Sequence, residues 1–470
     1  MQGNTLVPLM MLGWLPLTLL LFAVFSPRRA FLISAIGGWL LLPVAVAEVP
    51  GFVDYSKDAA VSFSPLLGLL IFDADRLRRM RPALIDVPML AWCLCPMVTS
   101  LLNGLGPYDG LAGVMDRLAW YYLPYLLGRA YLGSFAGLRE FFLALFLAAL
   151  FYAPFCVWEA RMSPQLHVQI YGYFAHAGGF EQVARFGGWR PMVFMHHGLM
   201  LGLFMAMGTL AGAVLWWSGQ LRRLFGLPIP ALLVFLLLVN VFIKSTGAVA
   251  LLLTGLALLF SVSRLRTGLL CLLLALAPGA YAALRAPGLW DGQNVVQAVA
   301  ELVGPDRAES LAYRFEAENL LAGKAMQQPL YGWGMHDRGR VAWAKSADGK
   351  VVADGLWIQA FNINGLIGIA SLLLLFLAPV LLLYWKLPPV DQFKSGRGLS
   401  LGAALMVGLY MVDNLLNAMI VPLYFSLIGG LAGYCLANPG RYRLPRPATR
   451  VPSAQAAWLD ERRGVLPSPR

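Results

Sequence analysis

The residues best suited to chemistry in this chain are cationic, and they stand beside apolar runs. In "ARFGGWRPMVFMHHGLMLG", Arg185 and Arg190 immediately precede a long apolar stretch, with His196 and His197 less than two turns inside it. Two guanidinium forks at a helix N-terminus suit a phosphate or pyrophosphate, because fork geometry and helix dipole both favour a dianion. The competing reading is an anchor to lipid headgroups for the arginines and satisfied packing for the histidines. In "FIKSTGAVALLL", Lys244 is flanked by apolar residues on both sides, so it either snorkels to an interface or lines a hydrophilic cavity. A third group gathers around "PLYGWGMHDRGR", Pro329 to Arg340, where Gly332 and Gly334 allow a tight turn that delivers His336, Asp337, Arg338 and Arg340. Histidine exchanges a proton near neutral pH, so His336 is a candidate base, with Arg314 upstream and Asp354 downstream as charged company. The plain alternative for His336 is an ordinary surface histidine.

Other charged motifs point to structure. The Asp-x-Asp of "FDADRLRR", Asp73 and Asp75, has the form of a divalent-metal pair, but it ends an apolar run beside an arginine cluster and reads as a charge-balanced helix end. Asp413 and Asn414 in "MVDNLLNAM" lie within an apolar run, which predicts an inward-facing polar contact. All five cysteines fall in apolar runs, with no spacing for a disulfide framework or a zinc site. No metal and no cofactor is expected. The net charge of +12 would suit nucleic acid, yet its placement argues for a membrane instead. Arg28 and Arg29, then Arg76, Arg78, Arg79 and Arg81, then Arg222 and Arg223, then Arg264 and Arg266 all fall in short connections between apolar runs. That is the positive-inside pattern.

The elements that must position these residues are transmembrane helices. Of 470 residues, 59% are hydrophobic and 13% charged, with a mean hydropathy of +0.67. A soluble domain is about 25% charged. The apolar runs predict an all-α polytopic membrane protein of 12–13 spans, near 6–25, 30–48, 59–73, 84–103, 117–133, 140–159, 191–217, 227–243, 246–262, 267–284, 356–385, 399–416 and 420–437. The first run lacks a basic n-region and a cleavage site, so it reads as a retained helix. One transmembrane domain over 1–437 follows, with external loops 160–190 and 285–355, an outer N-terminus, and a basic Pro/Arg-rich cytoplasmic tail over 438–470, expected to be disordered. In the second loop, Asp306 and Glu309 form a capping-box pattern, and Leu311, Ala312, Phe315, Ala322 and Met326 recur at helical spacing before Pro329. Arg314 and Glu318 are placed to pair along that helix. The helix would lie at the interface as a cover over the bundle. No internal repeat is evident.

The order of these features resembles the O-antigen ligase/O-antigen polymerase superfamily over roughly residues 180–440. Its carriers are the two arginines before a mid-chain span, the polar break between the next two spans, "YRFEAENLLAGKAMQQPLYGWGMH", and "DGLWIQAFNINGLIGI" leading into the next span. The break is Ser-Arg-Gly in many members; here it is Ser245-Thr246-Gly247 after Lys244, and Asp354 stands where a histidine is frequent. The resemblance implies a fold like the C-type glycosyltransferases, in a bacterial inner (plasma) membrane. It implies metal-independent glycosyl transfer from a polyprenyl-diphosphate-linked glycan to a glycan or lipid acceptor, alongside other polysaccharide-assembly proteins and with no nucleic acid. His336 and Arg314 would then be catalytic, and Arg185, Arg190, Lys244, His197, Arg338 and Asp354 would bind substrate. A flippase of lipid-linked oligosaccharide and a noncatalytic component of an export complex are the rival readings.

Overall fold

A computed structural model describes residues 2–49, 53–176, 180–185, 187–265, 268–346, 349–386 and 398–437. Arg266 and the tail 438–470, with Arg441, Arg443, Arg446 and Arg450, lie outside the described residues. The chain is all-α, with three two-residue hairpins as its only sheets among the described residues. In chain order the helices are α1 (Leu6–Val24), α2 (Pro27–Leu41), α3 (Lys57–Phe72), α4 (Ala74–Arg79), α5 (Val87–Leu102), α6 (Pro107–Arg117), α7 (Leu123–Tyr131), α8 (Phe135–Met162) and α9 (Leu166–Tyr171). They continue as α10 (Gly198–Trp217), α11 (Ile229–Phe242), α12 (Thr246–Leu265), α13 (Leu269–Arg285), α14 (Gln293–Leu302), α15 (Pro305–Ala325), α16 (Leu356–Lys386), α17 (Gly398–Leu416) and α18 (Pro422–Ala437). Each expected span carries a helix. Among the described residues seven helices are long and apolar enough to cross a membrane, and α11, α13 and α18 are shorter apolar helices. The middle of the bundle is α10, whose apolar window is 94% buried, with α17 close behind at 78%. Glycines on α10 let α8, α11 and α12 approach it closely, and Gly402 of α17 lies against Val214, which is how helices pack where lipid offers no hydrophobic drive.

The two ends of the bundle differ. At one end Arg28 pairs with Glu140, Arg76 donates to the Ala130 carbonyl, Arg129 reaches Asp86, and Lys386 caps the Cys435 carbonyl. This end gathers the arginine-rich connections anticipated as cytoplasmic. The other end carries α9, α14, α15 and the loops at 172–197 and 326–355.

Several local details depart from expectation. The fifth span starts at Pro107, ten residues earlier than its apolar run, and passes through a π-helical segment at Leu118–Tyr122. Helix α15 is capped by Gly304 with Pro305 in its first turn, so Asp306 lies inside it and forms no cap. The pairing of Arg314 with Glu318 is replaced by two longer-range pairs. Arg314 bonds Asp354 at 3.2 Å and Glu318 bonds Arg285 at 3.1 Å. Side chains leave a helix along directions set by packing, and here Glu318 gains a buried partner and Arg314 a half-buried one.

Helix α16 holds the feature that explains the Gly-rich loop. It breaks at Gly365, where φ is 62° and ψ is −154°. Four backbone groups around such a break lose their usual partners four residues away, and in lipid they need others. The loop at Pro329–Gly334 supplies them. The amides of Leu366 and Ile367 donate to the Pro329 and Leu330 carbonyls at 2.7 and 3.3 Å. In return the amides of Trp333 and Gly334 donate to the Asn362 and Ile363 carbonyls, both at 2.9 Å. Gly332, at φ 69°, lies against the backbone of Ile363–Gly365, where a Cβ would collide. Side chains of α5 hold the loop in place, with Thr99 Oγ1 donating to the Tyr331 carbonyl at 2.8 Å and Asn103 Nδ2 to Gly332 at 2.9 Å.

Candidate anion site at the loop-rich end

Three separate elements bring cations together at the loop-rich end. A hairpin pairs β3 (Ala184–Arg185) with β4 (Gly188–Trp189), and Arg190 follows directly. The junction between α11 and α12 puts Lys244 in a left-handed turn, φ 57°, from which its Nζ donates to the Arg185 carbonyl at 3.2 Å. Helix α15 contributes Arg307 and Arg314 to the same group. Arg185 and Arg190 both lie within electrostatic reach of Arg307 and Arg314.

His197 caps α10, its Nδ1 accepting the Leu199 amide at 2.9 Å. That acceptor role makes it a neutral imidazole with the proton on Nε2. The His176 ring sits 4.7 Å from that of His197.

Arg190 is the most telling member. It is 6% exposed, and among the described residues no hydrogen bond or ion pair involves its side chain. Burial, then Arg185, Arg307 and Arg314, pull its pKa down to about 10, still well above neutrality. Arg185 is lowered by burial, then by Arg307 and Arg314. Burial, then Arg190 and Arg185, likewise lower His176, so its imidazole is neutral at physiological pH. A buried cation without a counter-charge is costly. Arg190 set among further cations makes a site whose energetics improve when an anion enters.

One carboxylate at the margin is already committed. Asp354 pairs with Arg314, and its own carbonyl receives the Ala418 amide at 2.5 Å. Burial raises the Asp354 pKa, partly offset by Arg314. Asp413, buried near the end of α17, bonds Asn417 at 3.0 Å and lies within reach of Arg314. The inward polar contact expected of Asp413 is thus present.

The structure brings together Arg185, Arg190, Lys244, His197, Arg314 and Asp354, and it places two expected site residues elsewhere. His336 turns to Asp109 of α6, with Nε2 at 3.6 Å, and Arg338 bonds the same carboxylate at 3.0 and 3.2 Å. Asp116 lies within electrostatic reach of His336. Among the described residues His336 thus makes its polar contact with α6 and none with the arginines, and it lines a cavity with Leu321 and Ala353. Positive φ at His336 and Asp337, 57° and 63°, ends the Gly365 clamp by turning the chain toward α6.

His176 and Arg307 are members that sequence reasoning passed over. The signal for both was weak: a histidine in the first polar loop and an arginine in the first turn of an amphipathic helix. The motif at Asp73 and Asp75 behaves as a charge-balanced helix end, with Arg76 at 2.7 Å and Arg78 at 3.1 Å.

These observations define the class: an all-α polytopic membrane protein with a cluster of cationic side chains at its loop-rich end. No model of a known protein family matches the sequence, and no curated protein matches it significantly.

Proposed function

We propose that this protein transfers a glycan from a polyprenyl-diphosphate donor to a hydroxyl of a glycan or lipid acceptor, at the outer face of a bacterial plasma membrane. The observation that carries this reading is the buried Arg190, whose side chain has no partner among the described residues, beside Arg185, Arg307 and Arg314. A lipid diphosphate is a leaving group with charge to neutralise, and it arrives from the bilayer at the height of a span end. In the transfer, the bond from the sugar C1 to the diphosphate oxygen breaks and a bond from C1 to the acceptor oxygen forms. The hydroxyl proton passes to neutral His176, which replaces His336 as the base in this reading. The departing diphosphate keeps its electron pair and is held by the guanidiniums, a preorganised electrostatic contribution that is usually the largest in catalysis. Asp354 orients Arg314, and Lys244 braces the Arg185 hairpin.

The test is analysis of lipid-linked glycans in a deletion strain, complemented with wild type or with Arg190→Ala. Single repeat units accumulating on the outer face, rescued only by wild type, would support a polymerase; long chains would support a ligase. Lipid-linked glycan trapped on the cytoplasmic face would overturn the transferase reading in favour of a flippase. No glycan change at all would leave a structural component of the export machinery.

A further inference from the structure

We infer that the arginine-rich end carries a binding site for an anionic phospholipid, independent of the cationic cluster at the other end. The argument starts from charge left over. In the α4 segment Asp73 pairs with Arg76 and Asp75 with Arg78, so the two acids neutralise two of its arginines. Arg79 and Arg81 are exposed and have no carboxylate partner among the described residues. The nearby Asp86 is already spent: Oδ1 accepts from Tyr125 at 2.7 Å and from Arg129, and Oδ2 accepts the Ala83 amide at 2.9 Å. Arg129 in turn donates to the Arg81 carbonyl at 3.1 Å, which holds the backbone of the basic segment against α7.

Two adjoining cavities open beside these residues and share Met80, Arg81 and Arg129. One, of about 410 Å³, is rimmed by Arg79, Arg81 and Arg129 at the end of α18. The other, of about 200 Å³, runs between α5 and α7 and is walled by Leu77, Leu90, Tyr122 and Leu126. The combination matches a phospholipid in both parts, a phosphate between surplus guanidiniums and an acyl chain along an apolar cleft. Basic pockets between transmembrane helices on the cytoplasmic side are suited to anionic headgroups. The π-helical segment ends on Tyr122, so the irregular turn puts that ring into the cleft wall. Such turns recur at functional sites.

The full chain is purified in detergent, delipidated, and titrated with phosphatidylglycerol or phosphatidylcholine, with bound lipid counted by native mass spectrometry. Phosphatidylglycerol is expected to bind preferentially. The double variant Arg79→Gln/Arg81→Gln should lower its affinity about tenfold or more, since each basic side chain near an anionic lipid is worth about a factor of five. Leu126→Trp, which fills the cleft and changes no charge, should also weaken it. The control is Arg222→Gln/Arg223→Gln, which removes two charges at the same end away from the cavities. Equal loss in that control, or no preference between the two lipids, would overturn the site. Competition by inorganic phosphate with no effect of Leu126→Trp would reduce it to an anion contact and overturn the lipid assignment.

Discussion

Two buried arginines at the loop-rich end are surrounded in opposite ways. Arg285, 1% exposed, closes α13 and bonds Glu318 at 3.1 Å, the Phe315 carbonyl at 3.0 Å and the Trp290 carbonyl at 3.1 Å. Glu318 is completed by Tyr281 at 2.6 Å and Trp357 Nε1 at 3.0 Å. Every charge in that knot has its opposite, and it joins α13, α15 and α16. Arg190 is 6% exposed, and among the described residues its electrostatic neighbours are the cations Arg185, Arg307 and Arg314. A compensated buried charge holds elements together; an uncompensated one waits for a ligand. The first should therefore report in stability and the second in binding and turnover.

Arg285→Ala is expected to give the largest effect. It strands the Glu318 carboxylate in an apolar setting, and breaking such a pair from one side costs about 3–5 kcal/mol. Thermal unfolding in detergent should show a large loss of stability, while any folded fraction keeps its specific transfer activity. If stability is unchanged but transfer is lost, the roles of the two arginines are reversed. Arg190→Ala should do the opposite, lowering transfer about a hundredfold or more with unfolding near wild type or improved, because it removes a preorganised charge and relieves a buried one. Arg190→Lys should recover part of the activity, keeping the charge without the fork. A stability loss equal to that of Arg285→Ala would mean the cluster is structural.

The clamp around Gly365 gives an intermediate expectation. Gly332→Ala places a methyl group against the α16 backbone at a positive φ, which costs about 1–3 kcal/mol for the conformation before any steric shift. Hydrogen exchange should rise at Leu366 and Ile367, whose amides depend on the loop. Unchanged protection there would show that the loop is not what satisfies the break.

The pH dependence is gentler and bears on the cluster alone. Burial and the neighbouring guanidiniums lower the His176 pKa below its ordinary 6.5. The unfolded chain therefore takes up a proton that the folded chain refuses, and this group's contribution to stability falls as pH drops below about 6.5. Asp354 acts in the opposite sense at lower pH, since its raised pKa lets the folded state hold a proton longer. Melting temperatures at about pH 7 and about pH 5 should show the decline, and inorganic pyrophosphate should flatten it by favouring protonated His176. Identical melting behaviour at both pH values would remove His176 from the cationic group.

Much of the fold was legible because lipid imposes one strong rule, that apolar runs of span length become helices. All thirteen runs did, and the arginine alternation anticipated which ends gather together. What was not legible arose where polar groups choose partners across the fold. Arg117 reads as a residue at a span edge, yet it is buried, stacked 3.6 Å from the Trp92 ring and bonded to Asn364. The Gly365 break hides in an apolar run, because its backbone needs are met by a loop more than thirty residues earlier in the chain. At the site, Arg185, Arg190 and Lys244 were legible because each stands close to or inside an apolar run, and Arg314 because it falls in a motif that carries the family resemblance. Arg307 and His176 were not, since loop residues carry no such contrast.

The smallest effect is expected at His336, and it is the sharpest test of the comparison. His336 is largely exposed, and its neighbour Asp109 keeps Arg338 as a closer partner when the imidazole is gone. An exposed pair of this kind contributes about 0–1 kcal/mol. The turn that carries it is set by the Gly365 clamp, whose hydrogen bonds come from the backbone of Pro329–Gly334 and do not involve the ring. His336→Ala should therefore leave unfolding nearly unchanged and transfer within about twofold of wild type, because a group outside the reacting centre supplies none of the hundredfold or more that a general base does. His176→Ala, measured alongside, should lose that larger factor. The reverse outcome, with His336→Ala inactive and His176→Ala active, would move the acceptor hydroxyl from the arginine cluster to the face of α6 and make the cluster a donor-binding site alone.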